Sequence, residues 1–161
     1  MTTGNWPDLA GRIIRDESGQ RHVRPVRVYF EDTDAGGVVY HASYIRFCER
    51  GRTDFLRLLG TDARGMIDGR TESGGSREPA AFVVRRMNCD FLRPARMDDL
   101  LEVETRVKAL GGASVTLLQA VTCQGRRIFE AEVTVVLVSM SGKPLRLSDA
   151  VRSAFEAHHS L

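Results

Sequence analysis

Between residues 31 and 44 the chain sets Glu31, Asp32 and Asp34 ahead of Gly36-Gly37, and Tyr40-His41 ahead of an amphipathic run. Acids, turn glycines and a histidine in that order have the parts needed to attack a carbonyl. A carboxylate or imidazole supplies the base or nucleophile. Free N–H groups at a helix start can hold the oxygen as it gains negative charge. Asp34 and His41 are therefore the candidate catalytic residues. Each also has a plainer reading. Asp34 before Ala35-Gly36-Gly37 is a pattern that makes an Asx-turn, and His41 can cap the helix or pack beneath Tyr44. Gly36 and Gly37 serve both readings, since a positive φ and close approach of a substrate both demand no Cβ.

The neighbouring groups sort by the same test. Asp32 lies two residues before Asp34, which on an extended chain puts both on one side, where bare carboxylates repel. A structural hydrogen-bonding role suits it better, and Glu31 reads as solvent-facing or structural. Tyr40 and Tyr44 read as pocket wall or core. Glu49, two turns beyond His41, falls on the polar helix face. Arg85, Arg86, Arg93 and Arg96 have the forked donors that suit phosphate, although a solvated sheet face uses arginine equally well.

The elements that position these residues follow from periodicity. Tyr44, Phe47, Cys48, Gly51, Phe55, Leu58 and Leu59 keep helical spacing over residues 44–59, with Arg46, Glu49, Arg50, Thr53 and Arg57 opposite. Gly51 costs this helix about 1 kcal/mol against alanine, so close approach to another backbone is expected there. Gly60 is the expected C-cap. Before the helix, 12–15 and 22–30 read as a hairpin turning at Ser18-Gly19, with Pro25 marking an open sheet edge near the start of the second arm. Residues 61–79 are a glycine-rich loop with one helical turn around 63–67, either a lid or a surface insertion. After it, 81–92, 101–109, 114–123 and 127–140 read as a meander of four long strands. Leu101, Val103, Thr105, Val107 and Ala109 face the core in the second of these. Ser148 caps a short terminal helix, and His158-His159 is expected to be a loose end.

Composition narrows the class. With 161 residues the chain suffices for one domain with a real core. A net charge of +2 without a basic run interleaved with aromatics argues against nucleic acid. Lys108 and Lys143 are the only lysines among 23 basic residues, which reads as coding bias before function. Cys48, Cys89 and Cys123 are odd in number and widely spaced, as free thiols in a reducing compartment would be. No apolar run is long enough to span a membrane. A cytoplasmic protein is expected.

The run Glu31-Asp32-Thr33-Asp34-Ala35-Gly36-Gly37-Val38-Val39-Tyr40-His41-Ala42-Ser43-Tyr44 resembles the signature of the hot-dog fold acyl-CoA thioesterases of the 4-hydroxybenzoyl-CoA thioesterase family. The resemblance is to the branch encoded beside the Tol-Pal envelope genes of bacteria. Arg46-Phe47-Cys48-Glu49-Arg50-Gly51-Arg52-Thr53 and Phe91-Leu92-Arg93-Pro94-Ala95-Arg96 extend it over roughly residues 23–145. It implies an α+β hot-dog fold, a five- to six-stranded antiparallel sheet curled around one long helix. Residues 1–22 are then an N-terminal extension and 146–161 a short helix and tail. The resemblance also implies hydrolysis of an acyl-CoA, or of an acyl carrier protein thioester, with no metal and no cofactor beyond the CoA of the substrate. Asp34 takes the place of the family's carboxylate and His41 that of the branch's histidine, with a backbone N–H beside His41 polarising the carbonyl. The glycine-rich 61–79 loop departs from the family pattern.

Two other functions compete. A hot-dog hydratase or dehydratase would need a histidine and carboxylate in a different motif. A non-catalytic module binding acyl chains or a carrier protein needs neither Asp34 nor His41. An exposed edge strand also predicts an obligate homodimer or homotetramer, with the pocket between subunits by resemblance.

Overall fold

The computed structural model describes residues 9–61, 63–71 and 73–159. Strands β1 (Arg12–Asp16) and β2 (Gly19–Arg27) form the expected hairpin. The long helix α1 (His41–Leu58) follows, then the short helix α2 (Ala63–Ile67) within the glycine-rich loop. Strands β3 (Ala80–Phe91), β4 (Leu100–Leu110), β5 (Ser114–Cys123) and β6 (Arg126–Ser139) lead to the terminal helix α3 (Asp149–Glu156). All six strands join one antiparallel sheet in the order β1-β2-β4-β5-β6-β3. β2 runs through the expected boundary at residue 22, so the extension and the main sheet share a strand.

Helix α1 lies against β2, β4 and β5 and buries Tyr44, Phe47, Cys48 and Phe55 on that side. Each faces inward because helical spacing returns it to one stripe every three or four residues. Gly51 sits in the stripe, and a Cβ there would meet Val103 Cγ1 at 2.8 Å. The close approach expected at Gly51 is therefore real, but its neighbour is a side chain of β4 and not another backbone. The helix ends in a Schellman motif: Gly60 takes φ +82°, and the Thr61 N–H donates to the Leu56 carbonyl at 2.9 Å. At the other end of the chain, Ser148 Oγ accepts the Val151 N–H at 3.2 Å, the cap expected of it.

Four expectations need correction. Only β4, β5 and β6 form a meander; β3 crosses the sheet to pair with β6, a long-range choice that local periodicity does not encode. Ala109 is exposed, because the β4–β5 register shifts between Val107 and Ala109 and turns the strand's last residues over. Pro25 does lie where β2 has an open side, but toward the strand's end. β1 pairs only as far as Val23, so Pro25 lies beyond that ladder. The terminal histidines are seated, with His159 Nε2 donating to the Lys108 carbonyl and His158 Nδ1 to the Ala154 carbonyl.

His22 and Asp54 are among the polar groups buried in this frame. His22 is fully buried on β2, and its Nε2–H donates to the Ala10 carbonyl at 2.6 Å. Asp54 on α1 is buried between Arg24 and Arg57, which both bond its carboxylate. Cys48, Cys89 and Cys123 are all free, Cys48 buried and the others half-buried. Burial pushes the Cys48 thiol up to about 12.

Candidate active site

The acidic segment folds as a turn locked to the start of α1. Residues Phe30–Asp32 form one 3-10 turn, closed by Asp32 Oδ2 accepting the Tyr29 N–H at 2.8 Å. Asp32 is buried, and its carbonyl accepts from both the Tyr40 N–H and Ser43 Oγ. Its structural role is thus visible in three bonds. The 3-10 turn also means that Asp32 and Asp34 do not share one side of an extended strand, as their spacing suggested.

Asp34 follows in a tight loop that closes on itself. Its N–H donates to the Val38 carbonyl at 2.8 Å, Gly37 N–H donates back to the Asp34 carbonyl at 3.1 Å, and Thr33 bridges to Val39. Gly37 takes φ +83°, which any Cβ would strain. Asp34 Oδ1 accepts the Gly36 N–H at 2.8 Å and faces the Val38 N–H at 3.4 Å. This is the Asx-turn of the plainer reading. It occupies one oxygen only: Oδ2 has no partner among the described residues, and Asp34 is exposed. The turn aims the carboxylate without using it up.

Beyond the loop, Tyr40 is the N-cap of α1, and no side chain caps the helix. Ser43 N–H turns back to the Tyr40 carbonyl, whereas the N–H groups of His41 and Ala42 have no partner among the described residues. Two free donors at a helix start carry partial positive charge and suit a developing oxyanion. The His41 ring is exposed, 4.4 Å from the Tyr40 ring centroid and 6.2 Å from that of Phe91.

A cleft of about 290 Å³ opens here between Val39, His41, Tyr44, Phe91, Arg93 and Pro94. Tyr44 forms its floor: the ring stacks on Phe129 at 5.2 Å, and its hydroxyl oxygen accepts the Ala95 N–H at 3.1 Å. Burial raises the phenol above its ordinary range, so Tyr44 stays protonated. Asp34 is not in this wall; it joins the site through the Thr33–Val39 bridge and the Tyr40–Asp32 bond.

The four candidate arginines divide. Arg93 lines the cleft, and Arg96 bridges to Val38 at the base of the Asp34 loop. Arg85 and Arg86 sit in the middle of β3, with Arg86 opposite Thr134. At about 3.3 Å per residue they lie roughly 16 Å or more along the strand from Phe91. One chain therefore does not gather all four. Glu49 is exposed, as expected, and its Oε1 accepts the Thr53 hydroxyl. Sequence reasoning missed the aromatic wall at Phe91, legible only once β3 is placed beside α1. It also missed Arg52, although its spacing from Cys48 and Phe55 puts it at the edge of the buried stripe. Among the described residues no cluster of three His, Cys, Asp or Glu side chains could hold a metal ion.

Comparison with known proteins identifies the family. The chain is 42% identical over 134 residues to the acyl-CoA thioester hydrolase YbgC of Escherichia coli O6:H1, covering 82% of this chain and 93% of that protein. It is 40% identical over 136 residues to the acyl-CoA thioesterase YbgC of Haemophilus influenzae, covering 84% and 93%. A probable thioesterase from Bartonella henselae superposes with a TM-score of 0.74 at 41% identity, over 80% of this chain and 99% of that one. The Thioesterase superfamily profile matches residues 36–130, beginning two residues after Asp34. With the hot-dog arrangement of sheet and helix, this places the chain in the thioesterase superfamily.

Proposed function

We propose that this protein hydrolyses an acyl-CoA thioester to the free acid and CoA, with the exposed Asp34 carboxylate as nucleophile or general base. The observation that carries the proposal is a pairing. A carboxylate oxygen left free by its own Asx-turn stands on a loop tied to a helix start with two unpartnered N–H groups. In either route the carbonyl oxygen gathers negative charge, and the His41 and Ala42 N–H groups are the donors suited to receive it. His41, exposed beside the cleft, orients water or the thioester. Gly36, Gly37, Tyr40, Tyr44, Arg93 and Arg96 shape the substrate path, with Arg93 and Arg96 offering forks to CoA phosphates. The residues at hand supply acid–base and electrostatic catalysis without calling on a cofactor. Acyl carrier protein is a second candidate carrier of the acyl group.

The working unit in this reading is a homodimer or homotetramer. β3 pairs on one side only, is 12 residues long, and leaves Val83, Val84 and Phe91 exposed. A long apolar edge is a pairing site unless covered. Three unpaired cysteines fit a reducing, cytoplasmic location. No helix among the described residues is long and apolar enough to cross a membrane.

Thiol release from a panel of acyl-CoAs tests the proposal. Purified protein should release CoA above background, and Asp34→Asn should remove most of that activity while the fold survives. A folded Asp34→Asn protein with near-normal turnover would sink the mechanism and favour the binding module.

A further inference from the structure

A second cavity, of about 210 Å³, lies between α1, α2, α3 and the sheet. Its walls include Phe55, Leu56, Met66, Phe82, Leu117 and Phe155, with Arg52, Glu49 and Thr53 as its polar groups. Arg52 is eleven residues along α1 from His41, roughly 16 Å at the helical rise, so this space is separate from the cleft at the helix start.

A guanidinium has five N–H donors. Among the described residues, the one hydrogen bond of Arg52 is from Nη1 to Gln119 Oε1 at 3.0 Å. The arrangement is built. Gln119 is buried, and its Nε2 donates to the Cys48 carbonyl at 3.0 Å and to Thr105 Oγ1 at 2.9 Å. With the amide nitrogen so engaged, the amide oxygen points at Arg52 and fixes the guanidinium. No carboxylate lies within ion-pair distance of Arg52 among the described residues, whereas Arg21, Arg24 and Arg57 each have one. Glu49 shares the cavity wall, but its carboxylate takes the Thr53 hydroxyl. Burial pulls the half-buried Arg52 guanidinium below the usual arginine range, and the nearby Cys48 and Glu49 side chains only partly oppose this.

We infer that this cavity binds a small monocarboxylic acid, with the carboxylate on the Arg52 guanidinium and the hydrocarbon among Phe55, Leu117 and Phe155. A largely apolar chamber with a half-buried guanidinium that has donors to spare matches a ligand that is apolar along its body and anionic at one end. The volume falls below the roughly 300–1,000 Å³ of pockets for drug-sized ligands, which suits a medium-chain acid such as octanoate. The inference rests on the proposed hydrolysis in one respect only: such acids are what that reaction releases. Binding itself does not depend on turnover.

Calorimetric titration of the protein with octanoate and with 1-octanol tests it. Octanoate should bind saturably and at least tenfold more tightly than the alcohol. Arg52→Gln should remove that preference without changing alcohol binding, and Arg52→Lys should restore part of it. Should Arg52→Gln fail to fold, the Arg52 Nε–H resonance of the unmodified protein should move with octanoate and stay with octanol. The Asp34→Asn protein should bind octanoate unchanged, so loss of hydrolysis and loss of binding are told apart. Equal affinity for acid and alcohol, absence of saturable octanoate binding, or an unmoved Arg52 resonance would overturn the assignment.

Discussion

Gly51 of α1 lies so close to Val103 of β4 that a β-carbon on the glycine would stand 2.8 Å from Val103 Cγ1. This contact sets how closely the helix approaches the sheet. Gly51→Ala gains about 1 kcal/mol of helix propensity but overpacks a full core, a cost of about 1–3 kcal/mol. The variant should be destabilised by up to about 2 kcal/mol. Adding Val103→Ala should relieve the clash, although it also removes buried methyls. Urea unfolding of the two single variants and the double variant checks this: the double variant should lose less than the sum of the singles.

Replacing the acids separates their roles. Asp34→Asn keeps an oxygen to accept the Gly36 N–H, so the loop stays closed while the charge goes. The expected fall in kcat is about a hundredfold or more, with KM and melting temperature little changed. His41→Ala should lower kcat by a smaller factor, because the backbone N–H at position 41 survives. Asp32→Asn weakens a charge-assisted bond to Tyr29 N–H, and should cost about 1 kcal/mol of stability with modest effect on kcat. Steady-state thiol release and thermal melts on all three variants give the comparison.

Charge contacts at an exposed cleft should be sensitive to salt. KM for an acyl-CoA should rise between low salt and 0.5 M salt, a range over which the Debye length falls severalfold. Arg93→Ala should raise KM more than Arg86→Ala does if one chain supplies the phosphate contacts, since only Arg93 lines the cleft. The opposite ranking would mean that the middle of β3 reaches substrate through another subunit.

His22 makes stability depend on pH. Burial lowers its pKa in the fold, and the Ala10 carbonyl only partly opposes this. The unfolded chain binds a proton near pH 6.5, whereas the folded protein resists one. Stability is therefore full above the unfolded pKa and falls as pH drops below it, toward the lower folded value. Urea midpoints at pH 7.5 and pH 5 should show the loss. The His22 ring resonances should stay in the neutral form down through pH 6.5.

Helix α1 was legible because six apolar side chains and Gly51 keep its spacing, yet its start lies three residues before the expected Tyr44. The miss has a physical cause. A helix start is read from its capping residue, and Tyr40 gives no capping side chain. The same absence leaves the His41 and Ala42 N–H groups free, so the boundary was hard to read for the reason that makes it a site. Asp34 and Gly37 were readable because turn chemistry is local. The pairing of β3 with β6, the reversal at Ala109 and the aromatic wall at Phe91 depend on distant partners. The spacing of Arg52 put it at the edge of the buried stripe, but its hydrogen-bond partner Gln119 lies 67 residues away and could not be read locally.

The two margins of the sheet differ in a way that limits growth. On one side β1 is a five-residue strand with Arg12, Arg15 and Asp16 exposed; on the other, β3 offers 12 residues with an open ladder. A unit with one adhesive margin has a valency of one. Two copies joined through β3, as proposed, would present short, charged β1 strands at both outer margins, so a larger assembly would have to grow through another surface and not by extending the sheet into a fibre.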